Sequence, residues 1–249
     1  MRFSAIGKGT VMRFIDRRLR CQIAAAAFLL AAPFATSGWM PAAHAASNVQ
    51  ALLAEAEHNT NTVNTLAHTD QNTVTTATMT LKVRSHGAED EIHNREQDYE
   101  SVSVTGHGAA GKIRNLHYTV DIIFMNGLTY YRTSLTHNVW ATHPGMTFPD
   151  PYTGGWKRGR TTVSFPKSVK FKEVGTSGGQ TQVRASIVQP ALAGTINLWI
   201  SGGAKPYIAR EDERYHPTKG KAGSAHVQIS FGPFNSPTVI EPPAKLGST

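Results

Sequence analysis

Four groups of residues could carry chemistry. Gly175-Thr176-Ser177-Gly178-Gly179 matches the literal pattern of a hydrolase nucleophile elbow. That elbow places its serine at a strained turn between a strand and a helix. Here Gln180-Thr181-Gln182-Val183-Arg184 follows and alternates as a strand does, so the spacing predicts a hairpin turn. An envelope hydrolase using Ser177 is the weakest functional reading, and no catalytic residue is expected. Eleven histidines invite a metal, but none stand as His-x-His or His-x-x-x-His, so no convergent ligand set is predicted. Glu89-Asp90-Glu91 fits a solvated turn better than a catalytic dyad. The one cysteine, Cys21, lies ahead of an apolar run, which leaves the rest of the chain without a thiol, disulfide or zinc–thiolate site. No glycine loop opens a helix to cradle phosphate. The expectation is a protein without enzymatic activity, metal or cofactor.

What remains is aromatic and aliphatic. Leu116, Tyr118, Val120, Ile122 and Phe124 fall on one side of a period-two ribbon. His117, Thr119 and Asp121 fall on the other side, which turns apolar at Ile123 and Met125. Asn126-Gly127 then suits a type I′ turn, and the chain returns through Leu128 to Thr133. The apolar face of this hairpin must be covered by protein or by a ligand.

Residues 1–45 read as a secretion signal. Arg2, Lys8, Arg13, Arg17, Arg18 and Arg20 against Asp16 account for +5 of the formal +8 charge. The apolar run Ile23–Ala32 is shorter than the ~20 residues a membrane span needs. Ala43-His44-Ala45 fits a cleavage site. The remaining charge is near +3, with no basic run beyond Lys157-Arg158-Gly159-Arg160, so nucleic acid is not expected as a partner. Residues 46–243 form the expected domain and 244–249 a tail, with no transmembrane span.

Ser47–His68 has the apolar spacing of a helix (Val49, Leu52, Leu53, Ala56, Val63, Leu66). Thr73–Arg84 alternates as one strand, and His86–Asp90 reads as a turn. Strands follow at Ile92–Val104, Val139–Thr142, Ser168–Val174, Gln180–Gln189, Gly194–Ser201, Tyr207–Tyr215 and Ala225–Phe231. Residues 143–160 are rich in proline and glycine yet carry Met146, Phe148, Tyr152 and Trp156, a pattern that suits a lid. The predicted fold is α+β and mainly β. It is a strongly curved antiparallel sheet, an unclosed half-barrel, covered by an N-terminal helix and a loop-rich lid. One helix would leave part of the concave face to a ligand.

Three stretches resemble the LolA-like superfamily, which includes periplasmic lipoprotein carriers, the LppX/LprG lipid-binding proteins and the first domain of the RseB stress sensor. They are Asn126-Gly127-Leu128-Thr129-Tyr130-Tyr131 with Trp140, Lys172-Glu173-Val174-Gly175 leading to Thr195–Ile200, and Phe231-Gly232-Pro233-Phe234 through Pro243. The resemblance implies a half-barrel whose apolar cavity holds acyl chains. No lipobox cysteine is present. The expected function is a periplasmic or secreted carrier or binding protein for lipid, acyl chain or lipoprotein. The alternative is an envelope protein-interaction or stress-sensor module of the same fold. The expected lining is Met79, Leu81, Leu116, Tyr118, Val120, Ile122, Phe124, Tyr130, Trp140 and Trp199, with Phe148 and Trp156 on the lid.

Overall fold

A computed structural model describes residues 43–106, 115–145, 147–148, 156–157, 163–165, 168–189, 192–218 and 223–246. The expected signal up to residue 42 lies outside them, as do the 107–111 loop and Met146, Tyr152, Arg158 and Arg160.

Helix α1 spans Ala43–Asn61. Val49, Leu53, Ala56 and Thr60 follow one another at helical spacing and are buried. The helix ends ahead of the expected His68. Asn59, Thr60, Asn61 and Thr62 are weak helix formers, and their side chains find partners elsewhere. Thr62 Oγ1 donates to the carbonyls of His58 and Asn59. Thr60 Oγ1 accepts from Ile208 N at 2.9 Å. Asn61 Nδ2 donates to the Val163 carbonyl at 2.6 Å. Leu66, Ala67 and His68 therefore belong to strand β1, Thr65–Thr76.

Strand β2 is Met79–Asp90. The single strand expected over 73–84 is thus folded back on itself at Ala77-Thr78. Thr76 makes the turn, its Oγ1 accepting from Thr78 N at 3.3 Å and Met79 N at 3.1 Å. A threonine turn inside an alternating threonine run carries no glycine, proline or asparagine to mark it. The turn expected at His86–Asp90 is instead the end of β2. The reversal falls at residues 91–94, where Asn94 takes φ 54° and His93 N donates to Asp90 Oδ1 at 3.1 Å.

The remaining strands are β3 Arg95–Gly106, β4 Leu116–Met125, β5 Leu128–Thr133, β6 Ala141–Pro144, β7 Thr147–Phe148, β8 Trp156–Lys157, β9 Lys172–Ser177, β10 Gln180–Val188, β11 Leu192–Ser201, β12 Ile208–Pro217 and β13 Gly223–Phe234. The β4–β5 hairpin turns as expected, with Asn126 and Gly127 at φ 53° and 74°. Eleven strands form one antiparallel sheet in the order β6-β5-β4-β3-β2-β1-β13-β12-β11-β10-β9, and β7 pairs with β8 alone. The fold is mainly β, with α1 the one α-helix among the described residues.

Helix α1 lies against the C-terminal half of the sheet. Val49, Leu53 and Ala56 pack with Val183, Ala185, Ile196, Leu198, Ile200, Ile208 and Phe231. Among the described residues no helix is long and apolar enough to cross a membrane.

Candidate functional site

Directly opposed residues in antiparallel strands point to the same side of a sheet. The registers can therefore be followed from β5 through β4, β3, β2, β1, β13, β12 and β11 to β10. One side, the helix face, carries Ile196, Leu198 and Ile200 beneath α1. The same side carries Leu81, Val83, Val102, Leu116, Tyr118, Val120, Ile122 and Phe124 in the N-terminal half. Tyr118, Val120, Ile122 and Val102 are buried together, with Leu81, Val83, Leu116 and Tyr131 packed against them. Among the described residues, none in this second cluster belongs to α1.

Seven of the expected lining residues, Met79, Leu81, Leu116, Tyr118, Val120, Ile122 and Phe124, therefore share the helix face. Three do not. Tyr130 opposes Ile123 and sits with Trp140, Met125 and Ile240 on the other side. Trp199 opposes Arg210 there and lies under its guanidinium at 4.6 Å. Phe148 and Trp156 oppose each other in the separate β7–β8 pair.

Between the two apolar areas the helix face carries acids. Asp70, Glu89, Glu96, Asp98, Glu100, Glu211 and Glu213 all point to this side and all are buried. His68 lies among them, 3.7 Å from Asp98. Gly87 stands between these two in the register, where a Cβ would meet the Gln97 carbonyl, His68 Cε1 at 2.7 Å and Asp98 Oδ1 at 2.9 Å. Its missing side chain makes room for the pair. Ser85 Oγ donates to Asp70 Oδ2 at 2.9 Å. Burial pushes Glu211 well above the usual carboxylate range, helped by the charge of Glu213, their shared hydrogen bond and the charges of Asp70 and Glu57. Burial also raises Glu213, against hydrogen bonds with Glu211 and Tyr215.

This acidic band was not anticipated, although Glu96, Asp98 and Glu100 stand at period two, as do Glu211 and Glu213. That spacing places each set on one face of a strand. Glu89-Asp90-Glu91 dissolves as a cluster. Glu89 joins the helix face, Asp90 the opposite face, and Glu91 the turn.

The opposite face has the reverse character. Every lysine and arginine on β1–β5 and β10–β13 points there: Lys82, Arg84, Arg95, Arg132, Arg184, Arg210 and Arg214. Only Asp90, Asp121 and Asp212 oppose them on that side. Asp212 is buried, which alone would raise its pKa. Hydrogen bonds from Gln228 at 2.7 Å and His226 at 3.2 Å, and the charges of His226 and Arg214, hold it below its ordinary value. Asp90 is likewise lowered against burial by His93 and Arg95.

Ser177 ends β9, and Gly178 and Gly179 make the turn into β10 at φ 58° and 74°. A strand, not a helix, follows the serine, so the elbow geometry is absent. Among the described residues no group of three histidine, cysteine or acidic side chains converges as metal ligands would.

No protein-family model matches the sequence, and no curated protein matches it. Crystal structures that match the backbone include the following two. LprF from Mycobacterium bovis superposes with a TM-score of 0.47 at 12% identity, over 80% of this chain and 98% of that one. The Mycobacterium tuberculosis lipoprotein LppX superposes with a TM-score of 0.42 at 9% identity, over 78% and 99%.

Proposed function

We propose that the protein is a periplasmic or secreted binding protein that carries a lipid, an acyl chain or a lipoprotein's acyl chains in a half-barrel. The observation that supports this most is the apolar area of β2–β5, which shares a face with the α1 core yet lies outside the helix's packing. Leu81, Leu116, Tyr118, Val120, Ile122 and Phe124 would line the acyl site. Met79 would stand at its β1–β2 end, and the β7–β8 pair with Phe148 and Trp156 would act as the lid. Removing a chain from water contributes ~0.8 kcal/mol per methylene. The residues expected from the signal to Ala45 would deliver the chain to the envelope. Tyr130, Trp140 and Trp199 take no part in this site, since they face away from it.

The test is native mass spectrometry and solvent extraction of the secreted protein, followed by titration with a fluorescent fatty acid. Co-purified lipid, and probe affinity that falls about tenfold or more in Val120→Asp, are the expected results, since an uncompensated charge in an apolar site is strongly unfavourable. Absence of both lipid and probe binding in the folded protein would end the reading. A second reading, an envelope interaction module, draws on the β9 edge. All six of its residues are exposed, Val174 among them at 50%, and an unpaired strand edge can accept a partner's strand. One stoichiometric protein in a pull-down, without lipid, would favour it.

A further inference from the structure

We infer that the sheet face opposite α1 docks on a membrane surface rich in anionic phospholipid. The inference stands on the charge of that face and does not need a bound ligand. On the strands, seven cations and three acids share this face, while the helix face of the same strands has no lysine or arginine. The segment after β13 lays Ile240 over the β4–β5 end of the cationic face, against Ile123 and Met125. Lys82, Arg84, Arg184, Arg210 and Arg214 are exposed. Of the three acids, Asp90 and Asp212 are buried, and Asp121 accepts a hydrogen bond from Arg132. Arg210 and Arg214 reach Asp212 at 3.8 and 3.2 Å, and the strands of this face still carry more cations than acids, with Lys82, Arg84 and Arg184 exposed.

The layout separates a membrane from other anionic partners. At ~4.8 Å between strands, nine strands spread these cations over a breadth of roughly 40 Å. They form no single line that would track a nucleic-acid backbone, and no aromatic ladder lies among them to stack bases. Two tryptophans sit toward either side instead. Arg210 lies over Trp199 at 4.6 Å on the β11–β12 side, and Arg132 over Trp140 at 4.8 Å on the β5–β6 side. Both rings are half-buried, with a guanidinium above each. An indole beside a cation is the pairing that suits a phospholipid headgroup layer.

The experiment is vesicle co-sedimentation of the full secreted chain. Vesicles of roughly three parts phosphatidylcholine to one part phosphatidylglycerol are compared with phosphatidylcholine alone, at about 0.05 M and about 0.5 M salt. Wild type should sediment only with the anionic vesicles, and only at low salt. The triple variant Lys82→Gln, Arg84→Gln, Arg214→Gln should bind about tenfold or more weakly. A control, Lys170→Gln with Lys205→Gln, removes two cations from the loops before β9 and between β11 and β12 and should bind like wild type. Circular dichroism melting establishes that each variant is folded. Binding that falls equally in both variants would overturn the assignment, as would equal binding to neutral vesicles or none at all. Failure with vesicles but salt-sensitive retention on an acidic polymer would transfer the face to an acidic macromolecule and overturn the membrane. A lipid found in the pocket with no vesicle binding would sink this inference alone, leaving the carrier reading intact.

Discussion

Glu211 and Asp212 are neighbours in β12, yet they live in opposite worlds. Glu211 turns to the helix face, among buried acids, and its carboxyl is pushed well up. Asp212 turns to the other face, where His226, Gln228 and Arg214 surround it and hold it down despite its burial. Both side chains are nearly inaccessible, at 6% and 4%. Burial raises both carboxyls; at Glu211 the neighbouring acids add to it, whereas at Asp212 the hydrogen bonds from Gln228 and His226 and the charges of His226 and Arg214 outweigh it. The whole sheet repeats this contrast. Its helix face gathers acids between apolar areas, and its opposite face gathers cations.

The largest effect should come from breaking the contrast outright. Leu198 is fully buried beneath α1. Leu198→Asp places a charge there without a cationic neighbour, and should cost several kcal/mol, enough to unfold the protein at 37 °C. Gln71→Lys, at an exposed position near the middle of the opposite face, should change stability by about 0.5 kcal/mol or less. Urea denaturation of the two variants is the measurement. Comparable losses would mean that the two faces do not differ as described.

Much of the sheet was legible because hydrophobic period and turn chemistry agreed. The β4–β5 hairpin shows it best: alternation from Leu116 to Met125, then Asn126-Gly127, with both residues at positive φ. The β1–β2 hairpin was not legible, because Thr76 turns the chain with its hydroxyl inside a threonine-rich alternation. The helix end was blurred for a related reason. Leu66 and His68 continue the helical spacing, but each is also a buried position of a strand. The candidate site was half legible. Strand parity grouped Leu116 to Phe124 correctly, whereas Tyr130, Trp140 and Trp199 could not be assigned a face without the registers between strands. The charge segregation escaped for a different reason. A net charge near +3 averages over two faces, and alternation such as Arg210-Glu211-Asp212-Glu213-Arg214 reads as neutral until period two is applied to charge as well as to hydrophobicity.

A smaller effect is expected at Asp212. Asp212→Asn keeps the shape but removes the charge that His226, Arg214 and Gln228 address. The loss should be about 1–3 kcal/mol at neutral pH. A carboxylate held below its unfolded value of 3.8 contributes stability above that pH and loses it as pH falls through the folded value. The gap between wild type and variant should therefore close in acid. A gap that persists unchanged to pH 3 would mean that packing, not charge, holds Asp212.

Glu211→Gln should give a smaller effect than Asp212→Asn, and in the opposite direction. An acid raised above its unfolded value of 4.5 stabilises the fold fully below that pH. The contribution disappears as pH climbs through the folded value, because the charged form is then forced beside Glu213 and Asp70. The amide cannot ionise, yet it can still hydrogen-bond Glu213. The variant should match wild type near pH 4.5 and melt higher at pH 8, on the order of a few °C. Melting curves at the two pH values decide the matter. If the variant is less stable at pH 8 as well, the ionised carboxylate is compensated there by a cation, and the helix face is not the uniformly acidic surface that the registers describe.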